Sequence, residues 1–139
     1  VSRLNDLLRR YPPDIAFVGI GENGHLAFND PPADFQTEDP YIVITLSEPC
    51  KQQQVGEGWF SSTREVPRQA ISMSIQQIMH GRYIVCTVVG AHNADAVHNC
   101  LNGPATPDWP ASILQRHPDC AIFLDAQAAA KLTGTAAGS

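Results

Sequence analysis

Asp14-Ile15-Ala16-Phe17-Val18-Gly19-Ile20-Gly21-Glu22-Asn23-Gly24-His25-Leu26-Ala27-Phe28-Asn29-Asp30-Pro31-Pro32 is an apolar run that breaks into a glycine turn and then into a knot of polar side chains. Asp14 to Gly19, bounded by Pro13 and the glycines, suits a strand buried on both faces. The same style recurs at Tyr41–Leu46, Ala70–Ile75, Tyr83–Val89 and Cys120–Leu124. Helical patterns sit between or after these runs, at Ile75–Met79, Asn93–Leu101, Ala111–Arg116 and Gln127–Leu132. Ahead of them, Leu4, Leu7 and Leu8 form the stripe of a short amphipathic helix. It must stop at Tyr11-Pro12-Pro13, because proline disfavours helix in the residue before it. Strands alternating with helices predict a three-layer, Rossmann-like α/β fold with a mainly parallel sheet.

Three proline-rich stretches, Asp30–Pro40, Glu48–Pro67 and Asn102–Pro110, are longer than ordinary α/β connections and read as functional or mobile loops. The Ala/Gly-rich tail from Ala126 to Ser139 reads as frayed at its end. No internal boundary divides the chain, so residues 1–139 are expected to form a single α/β domain. A doubly wound domain usually opens on a strand and this chain opens on a partial helix, which fits a fragment of a longer chain.

At 139 residues, with 43% hydrophobic and 17% charged side chains, the chain is large enough to bury one core. Its formal charge is −5 and its basic residues are scattered, which argues against nucleic acid and anionic membranes as partners. The sequence has neither an apolar run long enough for a membrane span nor a signal-peptide core, so a cytoplasmic location is expected. Four cysteines without a Cys-x-x-Cys pair read as small buried hydrophobes. His92, His98 and Cys100 fall on different faces of a helix, so no metal site is expected there.

Gly19-x-Gly21-x-x-Gly24 after a buried strand matches the dinucleotide-binding pattern literally. That pattern requires a long helix opening at the loop, and Pro31-Pro32 would stop one. No cofactor is therefore called for. A structural turn would explain Asn23-Gly24 alone, since both residues tolerate positive φ. It does not explain why Glu22, Asn23, His25, Asn29 and Asp30 crowd into nine positions at the carboxyl end of a strand, where open α/β sheets place ligands. A histidine with a nearby carboxylate can serve as a general acid/base near neutral pH. The residues thus point to acid/base chemistry on a small polar molecule.

The stretch Gly19-Ile20-Gly21-Glu22-Asn23-Gly24-His25-Leu26-Ala27-Phe28-Asn29-Asp30-Pro31 resembles the active-site loop of the glucosamine-6-phosphate deaminase/isomerase family. Val66-Pro67 with Ala70-Ile71-Ser72-Met73, and Ser112-Ile113-Leu114-Gln115-Arg116-His117-Pro118, resemble two further family segments. The likeness extends from about Asp14 to Asp125. It implies an aldose–ketose isomerisation with release of ammonia, acting on a small amino-sugar phosphate. His25 matches the ring-opening histidine. Asp30 matches the carboxylate, usually Glu, that tunes and orients it. Asn23 stands where many members carry Asp, and can position a sugar hydroxyl but cannot act as a base. Gly21, Glu22, Gly24 and Asn29 are the implied substrate-binding positions.

The sequence departs from the family in three places. The family's phosphate-binding Arg aligns near Gly56-Glu57-Gly58-Trp59-Phe60, and its Lys aligns with Gly90-Ala91-His92-Asn93; neither cation is present. Losing two such contacts costs about 1.5–3 kcal/mol each. Arg64, Arg68 and Lys51 are the candidate substitutes. The family's proton-abstracting Asp and phosphate loop would lie upstream, so these residues alone are expected to be catalytically silent. The alternatives are a non-catalytic sugar-binding or regulatory domain of the same fold and, less favoured because of Phe28-Asn29-Asp30, a 6-phosphogluconolactonase-like hydrolase. Exposed sheet edges and apolar surface leave room for a homo-oligomer.

Overall fold

A computed structural model describes residues 1–133. Helix α1 (Ser2–Arg10) ends where the prolines require. Of its leucine stripe, Leu4 and Leu7 are exposed and Leu8 alone is half-buried. The helix is tied down by the buried Asn5, whose Nδ2 donates to Tyr41 O at 3.1 Å and whose Oδ1 accepts from Tyr41 N at 2.7 Å.

Strand β1 (Ile15–Val18) pairs in parallel with β4 (Tyr83–Val88), which in turn pairs in parallel with β5 (Cys120–Leu124). The spatial order is β1-β4-β5. Strands β2 (Tyr41–Thr45) and β3 (Gln69–Met73) form a separate antiparallel pair, with Tyr41 opposite Met73 and Thr45 opposite Gln69. Two of the five predicted strands therefore lie outside the parallel sheet. Helix α2 (Glu48–Gly56), α3 (Ile75–Met79) and α4 (Ala94–Asn102) complete the regular elements, with 3₁₀ turns at Ala91–Asn93 and Pro110–Arg116.

The core lies on one face of the parallel sheet. Ile84, Cys86 and Val88 of β4 pack with Ile75 and Ile78 of α3, Val97 and Cys100 of α4, and Ile113 and Leu114 of the second 3₁₀ turn. Leu26, from the glycine loop, is fully buried in this cluster and anchors the loop to the core. Burying such a side chain contributes about 1.5–3 kcal/mol.

The opposite sheet face is open. Ile15 and Phe17 on β1, Tyr83 on β4 and Phe123 on β5 all lie on it, with Phe17 77% exposed. The expected burial of β1 on both faces is thereby corrected, and Tyr83 at the start of β4 is exposed as well. β1 alternates exposed and half-buried positions, as a strand packed on one side must. The Tyr83 ring instead has the Arg82 guanidinium 5.2 Å above it.

Two local expectations also change. Part of the stretch expected to be a Glu48–Pro67 loop is α2, because Ser47 caps it by accepting from Cys50 N and Pro49 sits in the first turn, where its missing N–H costs nothing. Gln127–Leu132 is a run of turns rather than a helix. The end of the Ala/Gly-rich tail lies outside the described residues. Among the described residues, no helix is long and apolar enough to cross a membrane and no group of side chains is placed to hold a metal. All four cysteines are free thiols, and burial pushes Cys86 and Cys100 up to about 12.

Gly24 has φ +80°, and a Cβ added there would lie 2.8 Å from the Trp109 ring and 3.2 Å from Cys100 Sγ. Its carbonyl also accepts from Ala111 N at 2.8 Å, which ties the loop to the second 3₁₀ turn. Gly24→Ala therefore combines left-handed strain with overpacking. A loss of about 2–4 kcal/mol is expected, read as a lower urea midpoint with an unchanged slope.

Candidate active site

The loop after β1 leaves the carboxyl end of the parallel sheet and turns back sharply. Gly24 N donates to Gly21 O at 2.8 Å, and Gly21 N donates to His25 O at 3.1 Å. A second turn follows at once, with Ala27 at φ 52°, a left-handed conformation that costs a non-glycine residue about 1–2 kcal/mol. Asn29 holds that turn: its Nδ2 donates to Leu26 O and to Met73 O, each at 2.8 Å. Asn29 is 5% exposed, and its amide is engaged with the backbone rather than facing a ligand. Gly24 also serves the loop's shape and packing. Of the four expected substrate-binding positions, the structure brings Gly21 and Glu22 to a cavity and places Gly24 and Asn29 behind it.

The polar side chains form a chain of contacts whose order the sequence did not show. His25 Nδ1 is 2.7 Å from Asn23 Oδ1, and the same oxygen accepts from His25 N at 3.2 Å. Asn23 Nδ2 donates to Asp30 Oδ1 at 3.1 Å, and Ser47 Oγ donates to Asp30 Oδ2 at 2.5 Å. Asp30 Oδ1 is 3.7 Å from His25 Nδ1, so Asn23 stands between the two. Its oxygen must face the histidine because a backbone N–H can only donate. Nδ1 therefore carries the proton, and in the neutral ring Nε2 presents a free lone pair.

Burial lowers the His25 pKa below 6.5, outweighing the opposing pull of Asp30, Glu57 and Glu22. The ring is thus a neutral imidazole at pH 7, and its 3.7 Å approach to Asp30 is a hydrogen-bonded relay through Asn23 rather than an ion pair. A histidine with a lowered pKa adds stability above 6.5 that is lost as pH falls from there toward its folded value.

Two contiguous hollows open beside this chain. The larger, about 720 Å³, is walled by Gly21, Glu22 and Asn23 on one side, by Gln53 and Glu57 of the α2 end on another, and by Asn93 beyond β4. The smaller, about 340 Å³, shares Gly21, Gln53 and Asn93 and reaches His25 and the end of β4 at Thr87. Gly21 is what makes room for the imidazole: a Cβ there would lie 2.1 Å from His25 Cε1. Just beyond β4, Asp125 accepts from Ala128 N at 2.7 Å and from Gly90 N at 3.1 and 3.0 Å, and these bonds hold its carboxyl below the usual range.

The candidate replacement cations do not reach either hollow. Lys51 and Arg68 line a separate cleft with Thr45 and Gln69, and Arg64 is exposed elsewhere. His117 is structural, with Nε2 on Gly81 O at 2.8 Å and Nδ1 accepting from Asp119 N at 3.1 Å. Ser47 and Gln53 were missed in the sequence, whereas Glu57 and Asn93 lie in the two segments that align with the family's phosphate-binding positions. Ser47 before Glu48-Pro49 carried a helix-cap signal, and Asn93 follows a strand end, where sites gather.

Fold and site together define an α/β protein that carries a hydrogen-bonded histidine, asparagine and aspartate in the loop at the carboxyl end of a parallel strand. The profile of the family described as glucosamine-6-phosphate isomerases/6-phosphogluconolactonase matches residues 2–122. A glucosamine-6-phosphate deaminase of Lactobacillus johnsonii is 42% identical over 132 residues, covering 95% of this chain and 54% of that protein. One of Clostridium botulinum is 42% identical over 119 residues, covering 86% and 47%. The solved structure of a monomeric glucosamine-6-phosphate deaminase superposes with a TM-score of 0.84 at 35% identity, covering 93% of this chain and 52% of that one. A 6-phosphogluconolactonase of Trypanosoma brucei shares the fold, with a TM-score of 0.71 at 18% identity, 95% of this chain and 52% of that one being covered. The chain belongs to the glucosamine-6-phosphate isomerase/6-phosphogluconolactonase family. It spans about half the length of the curated relatives it matches.

Proposed function

We propose that this site opens the ring of an amino sugar, the acid/base step of an aldose–ketose isomerisation coupled to ammonia release. The observation that carries this reading is the free Nε2 of a neutral His25 whose Nδ1 is held by Asn23 Oδ1 at 2.7 Å. Nε2 takes the proton from the anomeric hydroxyl as the C1–O5 bond breaks, and returns it to O5. The transient imidazolium is stabilised by Asn23 Oδ1 and, through Asn23, by the Asp30 carboxyl that Ser47 orients. Asn23 acts here as a positioning residue for the imidazole.

Ring opening has a readout that needs no base at C2, namely exchange between α and β anomers. The chain is expected to accelerate anomer exchange of glucosamine, followed by NMR saturation transfer, and His25→Gln to lower the enhancement about a hundredfold. Because the neutral ring is the active form and its pKa is lowered, the activity should persist as pH falls through 6.5 and decline only below it. An enhancement equal in His25→Gln sinks the reading. Ammonia release additionally requires abstraction at C2, and from these 139 residues is expected to stay at the level of a His25→Ala control.

A further inference from the structure

Ser47, half-buried ahead of α2, reaches back 17 positions to Asp30 in the glycine loop. Its hydroxyl is used twice. Oγ accepts from Cys50 N at 3.2 Å, which closes the first turn of α2, and the same oxygen donates its hydrogen to Asp30 Oδ2 at 2.5 Å. A hydroxyl carries one hydrogen and two lone pairs, so each bond fixes the side chain for the other.

Helix α2 depends on this point because little else holds its start. Of its nine residues only Cys50 is buried. Phe28 of the loop packs against the Leu46, Cys50 and Val66 cluster, which keeps loop and helix close without fixing a direction. The Asp30 charge reaches the same turn: burial and then the Asp30 carboxylate push the Cys50 thiol up to about 11.

The other Asp30 oxygen accepts from Asn23 Nδ2 at 3.1 Å, and Asn23 Oδ1 holds His25 Nδ1 at 2.7 Å. One line of hydrogen bonds therefore runs from the Cys50 amide through Ser47, Asp30 and Asn23 to the imidazole. Its donors point at the Asp30 carboxylate from both sides, an arrangement in which each bond strengthens the next.

We infer that Ser47 is a positioning residue that couples the first turn of α2, the helix walling the larger hollow, to the tautomer of His25. Helix and imidazole are then ordered together, and by linkage a change at either end is felt at the other. The coupling stands on these bonds; its part in catalysis rests on the ring-opening reading.

Substitutions separate the two uses of the hydroxyl. Ser47→Thr keeps both, Ser47→Asp keeps a good helix cap but offers Asp30 an acceptor in place of a donor, and Ser47→Ala keeps neither. Two readouts on the 139-residue chain need no sugar: nitrogen NMR shifts of the His25 ring, and amide hydrogen exchange at Cys50 relative to Val97 in the core. At about pH 8, where an ordinary histidine is neutral, the parent ring is expected to be protonated on Nδ1. Ser47→Asp and Ser47→Ala should both turn it into a mixture of tautomers, and Ser47→Thr should restore the Nδ1 form. Cys50 exchange should rise about fivefold in Ser47→Ala and stay near the parent value in Ser47→Asp. Asp30→Ala leaves the Ser47 hydroxyl in place, yet should speed Cys50 exchange about threefold relative to Val97.

A ring that stays Nδ1-protonated in Ser47→Asp marks Ser47 as a helix cap only and overturns the coupling. So does Cys50 exchange that Asp30→Ala leaves unmoved relative to Val97, or a Ser47→Thr ring that remains mixed. If Ser47→Ala does not fold, Ser47→Asp and Asp30→Ala still decide. Anomer exchange judges ring opening separately: its absence sinks that reading and leaves the coupling standing, whereas His25-dependent exchange with unmoved tautomers sinks the coupling alone.

Discussion

Gly21→Ala is expected to remove the His25-dependent anomer exchange, a loss of about a hundredfold, while leaving the chain folded. The added Cβ would sit 2.1 Å from His25 Cε1 and 2.4 Å from both ring nitrogens, so the imidazole has to swing away. Swinging breaks the 2.7 Å contact between Nδ1 and Asn23 Oδ1, and with it both the tautomer and the aim of Nε2. The fold survives because the clashing atoms belong to a side-chain tip rather than to backbone, and Leu26 still anchors the loop in the core. Gly19→Ala is the control: its Cβ would meet only Thr87 O at 3.4 Å, an ordinary contact. Exchange rates for both variants, alongside their thermal midpoints, check this. Retained exchange in Gly21→Ala would show that the ring's position is not what drives the step.

The second large effect is expected from Asn23→Asp, a change toward the residue many family members carry. In this chain it replaces the amide that donates to Asp30 Oδ1 at 3.1 Å with a carboxylate, so two acceptors face each other across a hydrogen-bond distance. Losing the bond and opposing two like charges in a half-buried site costs about 2–4 kcal/mol at neutral pH.

The sign of the pH dependence follows from which form is favoured. Repulsion favours the protonated pair, so its folded affinity for a proton exceeds the unfolded one. The variant is therefore least impaired below the unfolded carboxyl value of about 3.9, and it loses stability as pH rises through the window above. The new carboxylate beside Nδ1 also raises the His25 pKa, which moves the acid limb of anomer exchange upward. Exchanging the two residues, Asn23→Asp with Asp30→Asn, restores one donor and one acceptor and should recover most of the stability. A double-mutant cycle on urea midpoints measures the coupling. Additive losses would show that the contact between residues 23 and 30 contributes nothing.

These two variants also mark what could be read in advance. The apolar runs at Ile15–Val18, Tyr83–Val88 and Cys120–Leu124 identified strands, because a strand of consecutive hydrophobic residues has few other soluble arrangements. The same runs could not say which partner each strand takes. Tyr41–Thr45 and Gln69–Met73 look like the others, yet they pair antiparallel away from the sheet, since pairing depends on contacts between distant residues rather than on local pattern. Burial was overread for the same reason. Phe17 is apolar but 77% exposed, because hydrophobicity states what a side chain prefers and not whether a layer covers it.

At the site, the sequence by itself determined the ingredients. Two tight turns, a histidine between an amide and a carboxylate, and a buried leucine to moor them lie within Gly19–Pro31, where chain continuity forces proximity. The tertiary structure alone decided the wiring. Asn23 rather than Asp30 touches the imidazole, Ser47 reaches Asp30 from another element, and the Arg and Lys candidates turn elsewhere while Glu57 and Asn93 arrive. The physical reason is range. A turn's geometry is set by neighbours a few bonds away, whereas the charge and polarity lining a cavity are set by side chains that only the packed core brings across 17 to 70 positions of sequence.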